Sequence, residues 1–233
     1  MQRIVLFSGM LLSAVMLHAQ QPQKAEYRDP KNGYYQDVIM NDVQKAEPKT
    51  TKDNRIFKID ASGISAPKDP AAYTQIWHTN PVSQGNTNTC WCFSTTSFYE
   101  SEVKRTSGLE VKLSEMYVVY YQYVERAKYF IAHRGDMSFG EGSETNGTTW
   151  MIKQYGIVPY DAYKGKTNTA SFYNHATMFE EINSYLQGVK AGNNWNETEV
   201  VNTVKSILNF YMGEPPTTVK WQNANYSPIE FSK

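Results

Sequence analysis

The sequence predicts an α+β chain in which helices dominate. Five segments between residues 90 and 212 carry apolar side chains at helical spacing, and most of them stop at a glycine. Two stretches have strand character: residues 55–60 alternate polar and apolar side chains, and residues 217–226 suit a small hairpin. The length of 233 residues fits one domain, or one domain with an extension.

The charges of the chain balance. It has 23 Lys and Arg against 23 Asp and Glu, and a sequence pI near 6.9. Proteins that bind nucleic acid normally carry a basic excess, because their cations displace counterions from phosphates. The balance therefore argues against a nucleic-acid partner, and it also excludes a disordered acidic tail.

The N-terminus has the form of a secretory signal. Arg3 precedes an apolar run over residues 4–17, and the small residue Ala19 stands before a polar stretch. The run is shorter than the ~20 residues that cross a bilayer. We expect residues 1–19 to be removed after Ala19, which gives a secreted or periplasmic protein with no stable membrane insertion. The alternative interpretation is a buried N-terminal helix.

The rest of the chain divides near residue 66. Residues 20–66 are polar and broken by Lys, Asp, Asn and Pro, which predicts a flexible leader. Its strand, at residues 55–60, is expected to dock onto the main body. Residues 67–233 form the predicted helical domain, which begins with a proline-broken surface loop.

The helix signals are strongest after residue 89. The first predicted helix, residues 90–107, has basic residues in its last turn and meets Gly108, where a left-handed residue belongs. Ser114 is placed to cap the second helix, which closes at Arg134-Gly135. The other three helices are predicted from about residue 145 to 155, from 170 to 187 and from 198 to 212.

Cys90 and Cys92 are the only cysteines of the chain. A disulfide between such near neighbours rarely meets the Cα and Cβ separations that it needs. A zinc site needs about four ligands, and the sequence has no second Cys/His cluster at a suitable spacing. We therefore expect no disulfide, no metal and no cofactor. A free thiol in an exported protein then needs an explanation.

The chemistry is concentrated in residues 81–94, where a Gln-Gly pair precedes Cys-Trp-Cys-Phe-Ser. Cys90 is predicted to begin a helix, where the dipole and the unpaired N–H groups stabilise a thiolate, the nucleophilic form. Gln84, six residues upstream, could swing its amide over the same helix end. Together with the Cys90 backbone N–H, it would donate to the oxyanion that develops on an attacked carbonyl.

At these residues the chain resembles the papain superfamily of cysteine peptidases, whose motif runs Gln-Gly, a short polar loop and Cys-Trp-x-Phe-Ser. Leu113-Ser114-Glu115 is similar to the start of the family's second helix. Residues 123–130 and the later Tyr155-Gly156-Ile157-Val158-Pro159 resemble the bleomycin hydrolase and aminopeptidase branch. The resemblance covers about residues 57–165 firmly and the rest loosely.

The resemblance implies a papain-like fold in which Cys90 is the nucleophile, Gln84 is the oxyanion donor and Trp91 packs beside them. Two residues depart from the family's pattern. Thr87 replaces the usual loop cysteine and removes a disulfide, as expected in this branch. Cys92 stands where a small or apolar residue is usual, which favours a core role for it over a second nucleophile.

The family's general base is a histidine that comes, with an asparagine, from a β-rich second half. His133 stands at a helix end, where a capping role is expected, and His78 precedes the motif in a surface loop. Asn174-His175-Ala176 looks like the family's catalytic run, but helical periodicity follows it. We therefore expect mainly the helical half of the fold, with helical insertions, and the β-rich half largely absent.

Two functional hypotheses stay open. In the first, this is an exported cysteine peptidase of the aminopeptidase or bleomycin hydrolase type, which acts on peptides or proteins and is inactive as this chain alone. In the second, the chain is a non-catalytic papain-like module that binds peptides or glycans in a groove lined by Tyr and Trp. The presence of Cys90 and Gln84 favours the first hypothesis. The missing base favours the second for the chain as given.

Overall fold

The computed structural model describes residues 25–29, 31–46, 55–60, 63, 65, 67, 69–167 and 172–233. It is rich in helices and has a few short antiparallel strands, which confirms the predicted α+β class. The predicted secretory signal at residues 1–19 and the boundary at residue 66 lie outside the described residues. Within the described ranges, no helix is both long and apolar enough to cross a membrane.

Two units make up the chain. One lies within residues 1–31 and 51–72, and the other within residues 32–50 and 73–233. The second unit includes a π-helical turn, Tyr35–Met40, and a short helix, α1 (Asn41–Ala46), where the sequence predicts only a polar leader. Each spans only 6 residues, so neither is long enough for an apolar period to stand out in the sequence.

The first unit contains a two-stranded antiparallel sheet. Its strands are β1 (Ala25–Arg28) and β2 (Ile56–Ile59), and Tyr27 lies opposite Phe57 in the register. The two rings meet edge to face, with centroids 5.5 Å apart. The strand predicted at residues 55–60 is therefore present and pairs with β1. Its docking onto the helical domain stays a prediction.

In the described part of the second unit, five long helices form the body. They are α2 (Cys90–Ser107), α3 (Glu115–Ala132), α4 (Thr145–Tyr155), α5 (Ala176–Ala191) and α6 (Glu197–Met212). Most of these bounds agree closely with the predicted ones, but α5 begins later than the predicted residue 170. Its start is displaced because Tyr173 and His175 use their backbone groups to pair with Asn86, so they are not free to join a helix.

The predicted helix ends are confirmed by their hydrogen bonds. Gly108 adopts a left-handed conformation (φ 76°) after α2, and its N–H donates to the Lys104 carbonyl oxygen. Ser114 caps α3, since its side-chain oxygen accepts the Tyr117 backbone N–H at 3.1 Å. The chain closes with the predicted hairpin, β3 (Val219–Trp221) and β4 (Ala224–Tyr226), followed by a short helix, α7 (Pro228–Phe231).

The core is built around α3, which packs against α2, α4 and α6. Met116 and Phe130 from α3 are fully buried, as are Ile182 from α5 and Leu208 from α6. Burying a large apolar side chain of this kind contributes roughly 1.5–3 kcal/mol relative to exposing it. The amphipathic faces predicted from the helical spacing therefore meet in one core.

The middle of α2 also buries a charge. Glu100 has a fully buried side chain and accepts hydrogen bonds from Lys112 Nζ and from the Leu113 backbone N–H, each at 2.9 Å. Lys112 pairs with Glu115 as well. Burial raises the pKa of Glu115, and the attraction of Lys112 opposes that rise. The stretch before α3 is thus tied to α2 by directional bonds as well as by apolar packing.

Replacing Glu100 by Ala is expected to lower the free energy of unfolding by about 3 kcal/mol, because Lys112 and the Leu113 N–H lose a buried acceptor. Urea unfolding followed by circular dichroism measures the change. The matched control is Glu110→Ala, which removes an exposed carboxylate 2.9 Å from Lys104 Nζ and should cost less than about 1 kcal/mol. Equal losses for the two variants would contradict the role given to Glu100.

Candidate active site

Cys90 is the first residue of α2, and its side chain is exposed. The preceding Thr89 does not cap the helix with its side chain, and its hydroxyl bonds to the Thr87 hydroxyl at 2.5 Å. In the described part of the chain, no hydrogen bond involves the Cys90 backbone N–H. This helix end therefore has a free donor and the positive end of a dipole, which together favour an anion.

Cys92 has the opposite environment. It is fully buried, and its Sγ lies 3.3 Å from the Glu115 backbone oxygen, to which the thiol donates. Burial raises the pKa of the Cys92 thiol well above its usual value, and the Glu115 carboxylate raises it further. Cys92 is therefore a neutral thiol packed in the core, which confirms the structural role predicted for it.

Gln84 lies in a loop in which it forms two hydrogen bonds with Thr87. Its Nε2 donates to the Thr87 carbonyl oxygen at 2.7 Å, and the Thr87 hydroxyl donates to the Gln84 carbonyl oxygen at 2.9 Å. An amide nitrogen carries two N–H groups, so one of them stays free for another acceptor. The two hydrogen bonds between Gln84 and Thr87 therefore brace this loop.

Gly85 allows the same loop to approach the segment before α5. It has a positive φ of 66°, and a Cβ at this position would lie 2.1 Å from the Tyr173 carbonyl oxygen. The Asn86 N–H donates to that oxygen at 2.7 Å, and the His175 N–H donates to the Asn86 oxygen at 3.1 Å. A side chain at residue 85 would break this pairing, which explains why glycine follows Gln84.

His175 is buried just before α5, with 4% of its area exposed. Its Nδ1 lies 3.3 Å from the Tyr123 hydroxyl and 3.9 Å from Glu141 Oε1. Its Nε2 is buried and has no partner among the described residues. Burial lowers the pKa of His175 to about 4, so the imidazole is neutral at pH 7.

The other two described histidines are also occupied away from the thiol. His133 is exposed at the end of α3, where its Nδ1 lies 2.8 Å from the Tyr129 oxygen, as the predicted capping role requires. His78 is exposed in its loop, with Nδ1 2.8 Å from the Thr79 oxygen. Among the described residues, none of these imidazoles is hydrogen-bonded to the Cys90 sulfur.

A cavity of about 640 Å³ lies between the C-terminal half of α2, α4 and α7. Its lining includes Tyr99, Val103, Ile152 and Phe231 and does not include Cys90 or Gln84. In the described part of the chain the thiol therefore faces solvent, with the cavity at the other end of the same helix.

The sequence does not predict the group of polar side chains next to the Cys90 loop. Glu141 accepts hydrogen bonds from Tyr123 on α3 and from Asn88 in the loop. Glu141 stands between two glycines in a polar stretch, and nothing in that local pattern indicates which side chains from other segments reach it. Only the fold brings these residues together.

Comparison with known proteins finds a likeness among solved structures. No family model matches the chain, and no curated protein matches it in sequence. Among solved structures, it is similar to the crystal structure of PepW from Lactobacillus rhamnosis HN001 (DR20), with 16% sequence identity and a TM-score of 0.49. The likeness covers 64% of this chain and 42% of PepW, so the chain spans less than half of that protein's length.

Mild iodoacetamide treatment of the folded chain is expected to label Cys90 and to spare Cys92, because only the Cys90 side chain is exposed and burial keeps Cys92 protonated. Peptide mapping by mass spectrometry reads out both sites. In urea the two cysteines should react alike, which controls for sequence effects. Preferential labelling of Cys92 in the folded chain would contradict this assignment.

Acid is expected to destabilise the fold through His175. Because its pKa falls from 6.5 to about 4 on folding, the unfolded chain binds more protons in this range. The free energy of unfolding therefore has its full contribution from neutral His175 above pH 6.5, and it loses that contribution as the pH falls from 6.5 towards 4. Urea unfolding at pH 7 and pH 4 should show that the wild type loses about 3 kcal/mol more than His175→Gln. Equal losses would show that His175 titrates normally.

Proposed function

We propose that this chain is the nucleophile-bearing part of a papain-like cysteine peptidase of the bleomycin hydrolase or aminopeptidase type. One observation carries the proposal: an exposed Cys90 thiol begins a helix whose first N–H groups lack a side-chain cap, directly after a braced Gln-Gly turn. A purely structural cysteine needs neither exposure nor a free donor beside it. A nucleophilic cysteine needs both.

The proposed reaction is acyl transfer through the Cys90 sulfur. The thiolate attacks the carbonyl carbon of a peptide bond, and the carbonyl electron pair moves onto oxygen. The Cys90 backbone N–H and the free N–H of Gln84 donate to that oxyanion. When the oxyanion collapses, the C–N bond breaks, and the amine leaves with a proton from the general acid. Water then hydrolyses the thioester and regenerates the thiol.

The general base is proposed to be a histidine outside the described residues, in the β-rich half that the papain resemblance implies. His175 is a poor candidate for two reasons. Its pKa of about 4 lies far below the near-neutral value that suits a base at physiological pH, and its imidazole is bonded to Tyr123 instead of to the thiol. His78 and His133 are exposed and bonded to backbone oxygens of their own segments.

The remaining parts of the proposal concern the whole protein. Residues 1–19 would direct export, residues 20–66 would form a leader, and residues 67–233 would be the incomplete catalytic domain. Export would place the enzyme in the periplasm or outside the cell, where its substrates are peptides or proteins. The balanced charge of the chain supports this substrate class over nucleic acid.

The 233-residue chain is expected to show little or no peptidase turnover, whereas a version extended through the region that supplies the histidine should cleave peptides. General acid–base help of this kind is worth about 10²–10⁴ in rate. Hydrolysis of aminoacyl and internally quenched peptides, with thiol present, compares the two proteins. In the extended version Cys90→Ala should abolish cleavage, while the matched variant Cys92→Ser should retain it.

The outcomes separate the hypotheses. Gln84→Ala in the extended version should slow hydrolysis by around 10²-fold without unfolding the protein, if its amide donates to the oxyanion. Robust Cys90-dependent cleavage by the 233-residue chain would mean that its own residues supply the base. Full activity of the extended Cys90→Ala variant would reject the cysteine peptidase. Peptide binding without turnover in either version would favour the non-catalytic module.

A further inference from the structure

A chain of polar side chains holds the loop directly before Cys90. Asn88 Nδ2 donates to Glu141 Oε2 at 2.8 Å, and the Tyr123 hydroxyl donates to the other oxygen of the same carboxylate. His175 Nδ1 follows at 3.3 Å from the Tyr123 oxygen. We call these four residues the Glu141 network. It joins the loop to α3, to the stretch between α3 and α4, and to the start of α5.

The proton positions in the Glu141 network follow from its chemistry. A tyrosine hydroxyl has a single proton, and Tyr123 uses it in the hydrogen bond that it donates to Glu141. His175 Nδ1 must therefore be the donor in its hydrogen bond to the Tyr123 oxygen. Burial and then the Glu141 charge raise the pKa of Tyr123, with Arg126 opposing, which keeps this residue a donor. Neutral His175 therefore carries its proton on Nδ1, and its buried Nε2 has a bare lone pair.

The Glu141 carboxylate depends on these hydrogen bonds. Its side chain is only 10% exposed, and no lysine or arginine pairs with it among the described residues. Hydrogen bonds to an ionised acceptor are roughly twice as strong as neutral ones. The bond from Asn88 is therefore charge-assisted, although Asn88 itself is exposed to solvent, and it acts two residues before Cys90.

We propose that Glu141, Tyr123 and His175 are positioning residues for Cys90. Through Asn88 they fix the end of the loop, while the backbone pairing of Asn86 fixes its beginning. The start of α2, and with it the free N–H groups beside the thiol, is held in place from both sides. His175 supports the site through Tyr123 and is not its base. The inference rests on the proposed function only for what Cys90 does to a peptide.

Removing the Asn88–Glu141 hydrogen bond is expected to change the reactivity of the Cys90 thiol. Without the Asn88–Glu141 bond, residues 88 and 89 are free to move, and the first turn of α2 frays. A thiolate at that helix end then loses the stabilisation that the helix terminus provides. Because iodoacetamide reacts with the thiolate form of a cysteine, alkylation of Cys90 should be slower near neutral pH and unchanged at high pH.

The test measures iodoacetamide alkylation of Cys90 in the 233-residue chain from pH 5 to pH 10. Asn88→Ala is expected to slow the reaction at pH 7 by roughly two- to fivefold, the size of a helix-terminus effect on a charge. Its plateau rate and its unfolding midpoint should match the wild type, because the Asn88 side chain is exposed. Asn202→Ala, an exposed position on α6, is the matched control.

A second variant checks that the effect passes through the carboxylate. Glu141→Ala should shift the same pH profile, and the double variant should shift it no further than Glu141→Ala alone, because each change removes the same Asn88–Glu141 hydrogen bond. Unchanged profiles in both single variants would overturn the positioning role. So would equal slowing at every pH together with a lower unfolding midpoint in Asn88→Ala. The proposed function is tested separately: it fails if the extended Cys90→Ala variant still hydrolyses peptides.

Discussion

The backbone pairing of Asn86 with Tyr173 and His175 is the constraint on which the rest of the site depends. It requires a residue without a side chain at position 85, because the Tyr173 oxygen occupies the place of a Cβ. It also takes two backbone groups away from the helix that follows, so that α5 begins at Ala176. As a result, His175 enters the core beside Tyr123, and the Glu141 network can form.

Two groups of polar side chains then hold α2 at different points along its length. Glu100 anchors the middle of the helix to Lys112 and Leu113, and the Glu141 network anchors the loop that leads into its first turn. Apolar packing alone would leave the helix free to slide by small amounts, whereas directional hydrogen bonds allow few alternative positions. A nucleophile that must meet a carbonyl at a fixed angle benefits from such a support.

The sequence predicts the features that depend on local chemistry. The bounds of α2, the left-handed Gly108 and the Ser114 cap follow from spacing and capping rules, and the structure confirms them. The exposed Cys90 and the buried Cys92 agree with what the resemblance of the motif implies. The late start of α5 and the convergence of side chains on Glu141 depend on contacts between segments far apart in the chain. No local pattern in the sequence encodes such contacts, so these features are visible only in the fold.

The loop before Cys90 is held by hydrogen bonds within the described residues, whereas the Cys90 sulfur is exposed. The hydrogen bonds by which Gln84, Asn86 and Asn88 hold the loop before Cys90 go to described residues between 84 and 175. The sulfur itself is exposed and has no imidazole bonded to it within the described residues. If the chain acts as proposed, its partner region does not have to shape the nucleophile. That region has to bring a histidine and a second wall for the substrate, and the exposed face of Cys90 is where both would meet it.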